Sequence, residues 1–263
     1  MHNHFTCIFQ KGTQKKAGFS LIEMAVVLVI IGTLVGVVAT TAKEQTKESQ
    51  VTATRATLEN AKIALDLYHT KHKRYPCPAL PADAPSAATY GIEVAGGCNA
   101  SCPAGLTCPA TTKAVIGAFP YKTLSLGEEY AADDWNNKIL YTVDKDHTTA
   151  NTSAIYGSIP ILDKNGNEVT RSVDAGDAIY ILLSQGANGN GAWAKTGGAQ
   201  KTCDATLKDG ENCDGDIGII DTVIQDGTTP AEYFDDIAVW KTRESTNHIV
   251  IAAPTVSGGA IPP

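Results

Sequence analysis

The sequence predicts an α+β fold in which a long N-terminal helix packs on an antiparallel β-sheet with disulfide-bonded loops. Three observations point there. A helical stripe of apolar side chains runs without a proline as far as Pro76. Short β-rich runs separated by turn signals fill the second half, and the cysteines beyond residue 18 are even in number.

Residues 1–18 are basic, carrying Lys11, Lys15 and Lys16 and no acid. The small pair Ala17-Gly18 precedes an apolar run, the reverse of a secretory signal peptide, whose small residues follow its apolar stretch. A cut there removes the leader and leaves the apolar run on the mature chain as an anchor. That run, Phe19 to Ala42, has Glu23 as its only charge. At a helical rise it covers ~36 Å, enough for a hydrocarbon core. Basic residues precede it, so the positive-inside rule keeps the leader cytoplasmic and exports the rest.

The helical pattern continues. Val51, Thr54, Leu58, Ala61, Leu65 and Tyr68 recur in steps of three and four, while Lys43, Glu44, Lys47, Glu48, Arg55, Glu59, Lys62 and Asp66 occupy the other faces. One helix is expected from about residue 19 to about residue 73. His69 and His72 near its end sit among Lys71, Lys73 and Arg74, a solvated basic cap rather than a metal pair.

Residues 77–108, rich in Pro, Ala, Gly and Cys, read as an ordered loop held by disulfides. Strands are expected at AVIGAF, KILYTV, AIYGSIPIL, AIYILLS, IGIIDTVI and IAVW, with turns at KNGN, GANGNG and DGTTP. The globular domain covers residues 43–253, and residues 254–263 form a disordered tail. GNGAWAKT is a strand connection and not a phosphate loop, because Ala194 precedes Lys195.

A formal net charge of −7 argues against sequence-independent nucleic-acid binding, which needs Lys and Arg to neutralise phosphates. Cys7 lies in the leader. Cys77, Cys98, Cys102 and Cys108 lack the C-x-x-C spacing of a zinc knuckle, so with export they read as disulfides of open connectivity. Cys203 and Cys213 flank a turn-rich loop and are paired with each other. Within and after that loop, Asp209, Glu211, Asp214 and Asp216 stand beside glycines in the manner of calcium loops, without the EF-hand spacing. The alternative is a solvated acidic turn. No other cofactor is expected. No G-x-S-x-G or H-E-x-x-H arrangement occurs, so a non-catalytic role is expected.

KKAGFSLIEMAVVLVIIG resembles the signal of type IV prepilins and type II secretion pseudopilins. The resemblance implies a pilin-like fold and a prepilin peptidase that cuts after Gly18 and methylates Phe19. It makes Glu23 the filament-assembly carboxylate, meeting the α-amine of its own or a neighbouring chain; the alternative has Glu23 snorkelling at the headgroups. Implied partners are the peptidase, other pilin or pseudopilin subunits and an inner-membrane assembly platform. The implied location is a single-pass inner-membrane protein of a Gram-negative bacterium, with a periplasmic C-terminal domain that later enters a filament. RYPCPA, DDWNNKILYTV (a D-x-W-x-N pattern), LLSQGANGNGAW and YFDDIAVW are weaker echoes of the same proteins. Thr40 stands where major pilins often have proline, which leans toward a pseudopilin or a minor pilin without deciding between them. Some pseudopilins bind calcium in C-terminal loops. The alternatives are a minor type IV pilin in adhesion, motility or DNA uptake, and a membrane-anchored binding domain that does not polymerise.

Overall fold

The computed structural model describes residues 20–109, 113–154, 156–170, 177–215, 218–225, 229 and 232–242, with the backbone alone over residues 34–44. The chain divides into two compact units, Met1–Glu48 and Ser49–Pro263. The division falls inside helix α1, Leu21–His72, whose limits agree closely with the expected helix. Lys73 ends it: the residue takes a left-handed conformation (φ 57°) and its N–H closes on the carbonyl of His69 at 2.7 Å.

In the second unit the stripe faces inward. Thr54, Leu58, Ala61 and Leu65 are buried, and Leu58, Ala61 and Leu65 share a core with Tyr141, Val143, Ile179, Tyr180, Leu182, Ile237 and Val239. The last seven come from the sheet and its flanks. Strands β1 (Ala114–Ala118), β2 (Leu140–Asp144), β4 (Tyr180–Ser184) and β6 (Ile237–Lys241) form one antiparallel sheet in the order β1-β2-β4-β6. Alternate residues of the strands point to opposite faces. Tyr141, Tyr180 and Leu182 therefore reach the helix, while Leu140, Ile181 and Leu183 join a second core with Ile159, Ile161, Ala178 and Ile219. Every residue of β2 and β4 is buried, so the sheet is a middle layer.

The outer layer differs from expectation. β3 (Ile161–Leu162) and β5 (Ile219–Ile220) are two residues each and pair in parallel, not antiparallel. The chain between them passes through β4, and such a crossover is what a parallel pair requires. Among its described residues, AIYGSIPIL yields the two-residue β3 and bridge positions at Tyr156, Gly157 and Ile159, and Pro160 has no N–H to donate to a ladder.

The 77–108 loop is fastened to this frame. Cys77 bonds Cys98 and Cys102 bonds Cys108. The buried Lys138 ammonium donates to the carbonyls of Pro81 (2.7 Å) and Asp83 and lies 4.8 Å from the centre of the Tyr90 ring; burial pulls its pKa down to about 8. At the helix end, Arg74 holds Glu93 through two bonds of 2.8 Å, and Glu93 also accepts the Cys77 N–H at 3.0 Å. Burial pushes the Glu93 carboxyl up, but the Arg74 and Cys77 bonds outweigh it and leave its pKa below the ordinary value. A lowered carboxylate stabilises the fold above its unfolded pKa, and that contribution disappears as pH falls through the folded value. Glu93→Gln is therefore expected to lose about 1–2 kcal/mol near neutrality and to flatten the acid limb of a Tm-versus-pH curve below pH ~5. An unchanged acid limb would rule the bridge out as the source of that slope.

Candidate functional sites at the helix start and in the buried acidic cluster

Helix α1 opens on Ser20. The Ser20 N–H donates to Glu23 Oε2 at 2.8 Å, and its Oγ accepts the N–H of Ile22 at 3.3 Å. Its carbonyl accepts the N–H of Met24 at 3.1 Å. This is a capping box, Ser-x-x-Glu, in which serine and acid satisfy helix donors that have no partner in the first turn. SLIE displays that signal plainly, yet reading Glu23 only as a membrane acid overlooks it. The carboxylate is thus turned back on the residue next to Phe19 in the chain. Apolar side chains follow in the open: Leu21 is 92 % exposed and Val29 66 %. A continuous surface of this kind needs lipid or an apolar partner to cover it.

The second site gathers three loops. Asp209 lies in a short 3₁₀ turn, Lys208–Asn212, while Asp235 and Asp236 lead directly into β6. All three are buried, and one carboxylate oxygen from each lies within 4.8 Å of the others. Amides support them from outside. Asn188 Nδ2 (2.7 Å) and Asn190 Nδ2 (3.0 Å) donate to Asp209, and the Asn188 N–H (2.9 Å) and Tyr233 hydroxyl (2.9 Å) donate to Asp235. Asn212 Nδ2 donates to Asp236 at 2.8 Å. Among the described residues, Asp235 Oδ1 and Asp236 Oδ1 nevertheless have no hydrogen-bond partner. Burial drives the Asp236 pKa well above the ordinary value, and the like charges of Asp209, Asp235 and Asp133 push it the same way. Asp235 is raised by burial and by Asp209. Oxygens stripped of water and repelling one another are stable when protonated or when they share a cation.

Residues 13–39 match the family described as the prokaryotic N-terminal methylation motif. The chain carries the signature of type IV pilin and pseudopilin substrates of prepilin peptidase. No curated protein and no solved structure matches it. The matched motif encloses Gly18, Phe19 and Glu23, of which Gly18 and Phe19 lie outside the described residues. Among the described residues no helix is long and apolar enough to cross a membrane. The expected span, Phe19 to Ala42, extends beyond that description at Phe19 and in the side chains of residues 34–42.

The structure sorts the remaining expectations. Cys203 is bonded to Cys213, and the connectivity left open among the other four is Cys77–Cys98 and Cys102–Cys108. Of the expected calcium residues, Asp209 enters the buried cluster, Glu211 and Asp214 do not, and Asp216 lies outside the described residues. The His69 ring stacks on Tyr75 and the His72 ring on Tyr68, so helix α1 ends in a stacked aromatic cap. The D-x-W-x-N pattern is a turn built on Asp133. Its Oδ1 accepts the N–H groups of Trp135 (3.0 Å) and Asn137 (2.9 Å), and its Oδ2 accepts the Ser184 hydroxyl at 2.6 Å. Asn137 carries the network on to the carbonyl of Gly186 at 3.0 Å. Gly186 is left-handed (φ 55°), and a Cβ there would collide with Asp235, which accounts for the glycine in GANG.

Proposed function

We propose that this chain is a structural subunit of a pilin-like filament, and specifically a pseudopilin of a type II secretion pseudopilus. The observation that carries the reading is the methylation motif over residues 13–39 with Glu23 inside it. Prepilin peptidase removes residues 1–18 and methylates Phe19. The run from Phe19 to Ala42 holds the subunit in the inner membrane, with its C-terminal domain in the periplasm, until helices from many subunits pack into a filament core. The exposed side chains from Leu21 to Ile31 support that step, since they require an apolar cover. Three disulfides support an oxidising compartment. Glu23 meets the methylated α-amine during assembly, and force comes from cytoplasmic motors acting through the inner-membrane platform; the chain itself catalyses nothing.

Mass spectrometry of the mature N-terminus, together with fractionation of sheared filaments, tests this. Cleavage after Gly18, a methylated Phe19 and recovery with filaments are expected. An intact leader overturns the reading, and a processed protein that stays with the inner membrane replaces it with an anchored binding domain. Recovery in surface pili instead of a pseudopilus assigns it as a minor type IV pilin.

We also propose that Asp209, Asp235 and Asp236 hold a divalent cation, calcium being the best match to an all-oxygen donor set. The two carboxylate oxygens that have no partner among the described residues favour this reading. When bound, the ion supplies positive charge that lets three buried carboxylates stay ionised together. The Asn188, Asn190 and Asn212 amides fix the carboxylates' orientation beforehand. Chelation is expected to lower Tm by roughly 5–10 °C relative to protein at saturating calcium. Asp236→Asn should abolish that difference. Equal melting with calcium and with chelator would leave the cluster protonated instead.

A further inference from the structure

We infer that the Cys203–Cys213 disulfide gates the cation site: oxidation assembles it and reduction takes it apart. The inference rests on the cation reading above. The bond closes a ten-residue separation, and the enclosed segment contains the whole turn Lys208–Asn212. Two working parts of the site lie in that segment. Asp209 supplies one of its three carboxylates, and Asn212 holds Asp236 at 2.8 Å while its own Oδ1 accepts the Ile220 N–H at 2.7 Å. Both sulfurs rest on the carbonyl of Gly210, at 3.4 and 3.3 Å, between those two residues. Cys213 also packs where a Cβ on Gly191 would stand, beside Asn190 and its bond to Asp209.

The like charges explain why a covalent closure matters here. One carboxylate oxygen from each of Asp209, Asp235 and Asp236 lies within 4.8 Å of the others, all of them buried, so the three repel when they are ionised without a cation between them. Without the cross-link, the segment carrying Asp209 can relieve that repulsion by moving away, and a cation must then recover the closure entropy of the loop. With the cross-link, the oxygens are held together before the ion arrives. Closure itself is a two-electron oxidation by a disulfide-bearing exchange partner. One cysteine thiolate attacks the partner's disulfide and expels a partner thiolate. The second cysteine then attacks the first cysteine's sulfur in the resulting mixed disulfide and displaces the remaining partner sulfur, forming the Sγ–Sγ bond, and the partner departs as a dithiol carrying the two electrons and two protons. A chain that has not met such an oxidant carries the ligands but not the site.

The test uses the full-length protein in detergent and titrates Ca²⁺ directly, with Tb³⁺ luminescence as a second probe. Oxidised wild type is expected to bind. A Cys203→Ser/Cys213→Ser variant is expected to bind about tenfold or more weakly, on the scale of an open loop of this length. Cys102→Ser/Cys108→Ser, which opens a loop holding none of the ligands, should keep wild-type affinity, and circular dichroism checks that both variants fold. Linkage requires the reciprocal effect: Ca²⁺ should shift the Cys203–Cys213 reduction equilibrium toward the disulfide by the same factor. If oxidised wild type takes up no cation, the cation reading itself fails. Wild-type affinity in the folded Cys203→Ser/Cys213→Ser variant overturns the gating alone. Should that variant fail to fold, the calcium dependence of reduction in the wild type decides the matter, and no dependence overturns it.

Discussion

Glu23→Ala is expected to abolish incorporation into filaments while leaving leader cleavage and membrane insertion intact. The acid has two separable duties, one observed and one proposed. It caps its own helix by accepting the Ser20 N–H at 2.8 Å, and in the proposed assembly it answers the positive charge of an α-amine. Losing the cap alone costs about 0.5–2 kcal/mol. Losing one member of a pair shielded from water strands the other charge and costs about 3–5 kcal/mol. Glu23→Gln separates the two, because glutamine can complete a capping box but carries no charge. Filament-associated protein is therefore expected to fall about tenfold or more in both variants, since the electrostatic part dominates. Normal incorporation of Glu23→Gln would reduce the carboxylate to a helix cap. The quantity to measure is subunit recovered with sheared filaments, relative to total processed protein.

Asp133→Ala should be the most damaging single change in the sheet domain away from the hydrophobic core. The carboxylate satisfies two backbone N–H groups and the fully buried Ser184 hydroxyl, and its removal leaves all three without their acceptor. Buried donors left unmatched cost about 1–3 kcal/mol each, and with partial relaxation the sum comes to about 3–5 kcal/mol. Asp133→Asn keeps an oxygen for the turn and an amide that can donate to Ser184, so a smaller loss is expected. Urea midpoints of the two variants give the comparison. A loss below about 1 kcal/mol for alanine would mean that water enters and replaces the carboxylate.

Long patterns were legible in the amino-acid order, and short or distant ones were not. The stripe from Val51 to Tyr68 spans several turns, so its period identifies both the helix and its buried face. β1, β2, β4 and β6 each carry enough β-branched and aromatic residues to declare themselves. β3 and β5 are two residues long and owe their pairing to the second core, which no local window contains. The acidic site follows the same division. Calcium loops are read as contiguous segments, which draws attention to Glu211 and Asp214 beside Asp209. The true neighbours of Asp209 come from the residues that open β6, and only the folded sheet delivers them. Glu23 was legible twice, as part of a processing signal and as part of a capping box, and the first meaning obscured the second.

The three disulfides share one further property. Each joins a cysteine to the next one along the chain: Cys77 to Cys98, Cys102 to Cys108, Cys203 to Cys213. None encloses or straddles another. In the export proposed above, a chain threaded across a membrane from its anchored end presents these cysteines in that same order, so the first partner each one meets is its native one. Oxidation as the sulfurs emerge then yields the finished pattern directly, and no bond has to be broken to correct a wrong one. Maturation on this plan needs an oxidant but no isomerase, and it can keep pace with export.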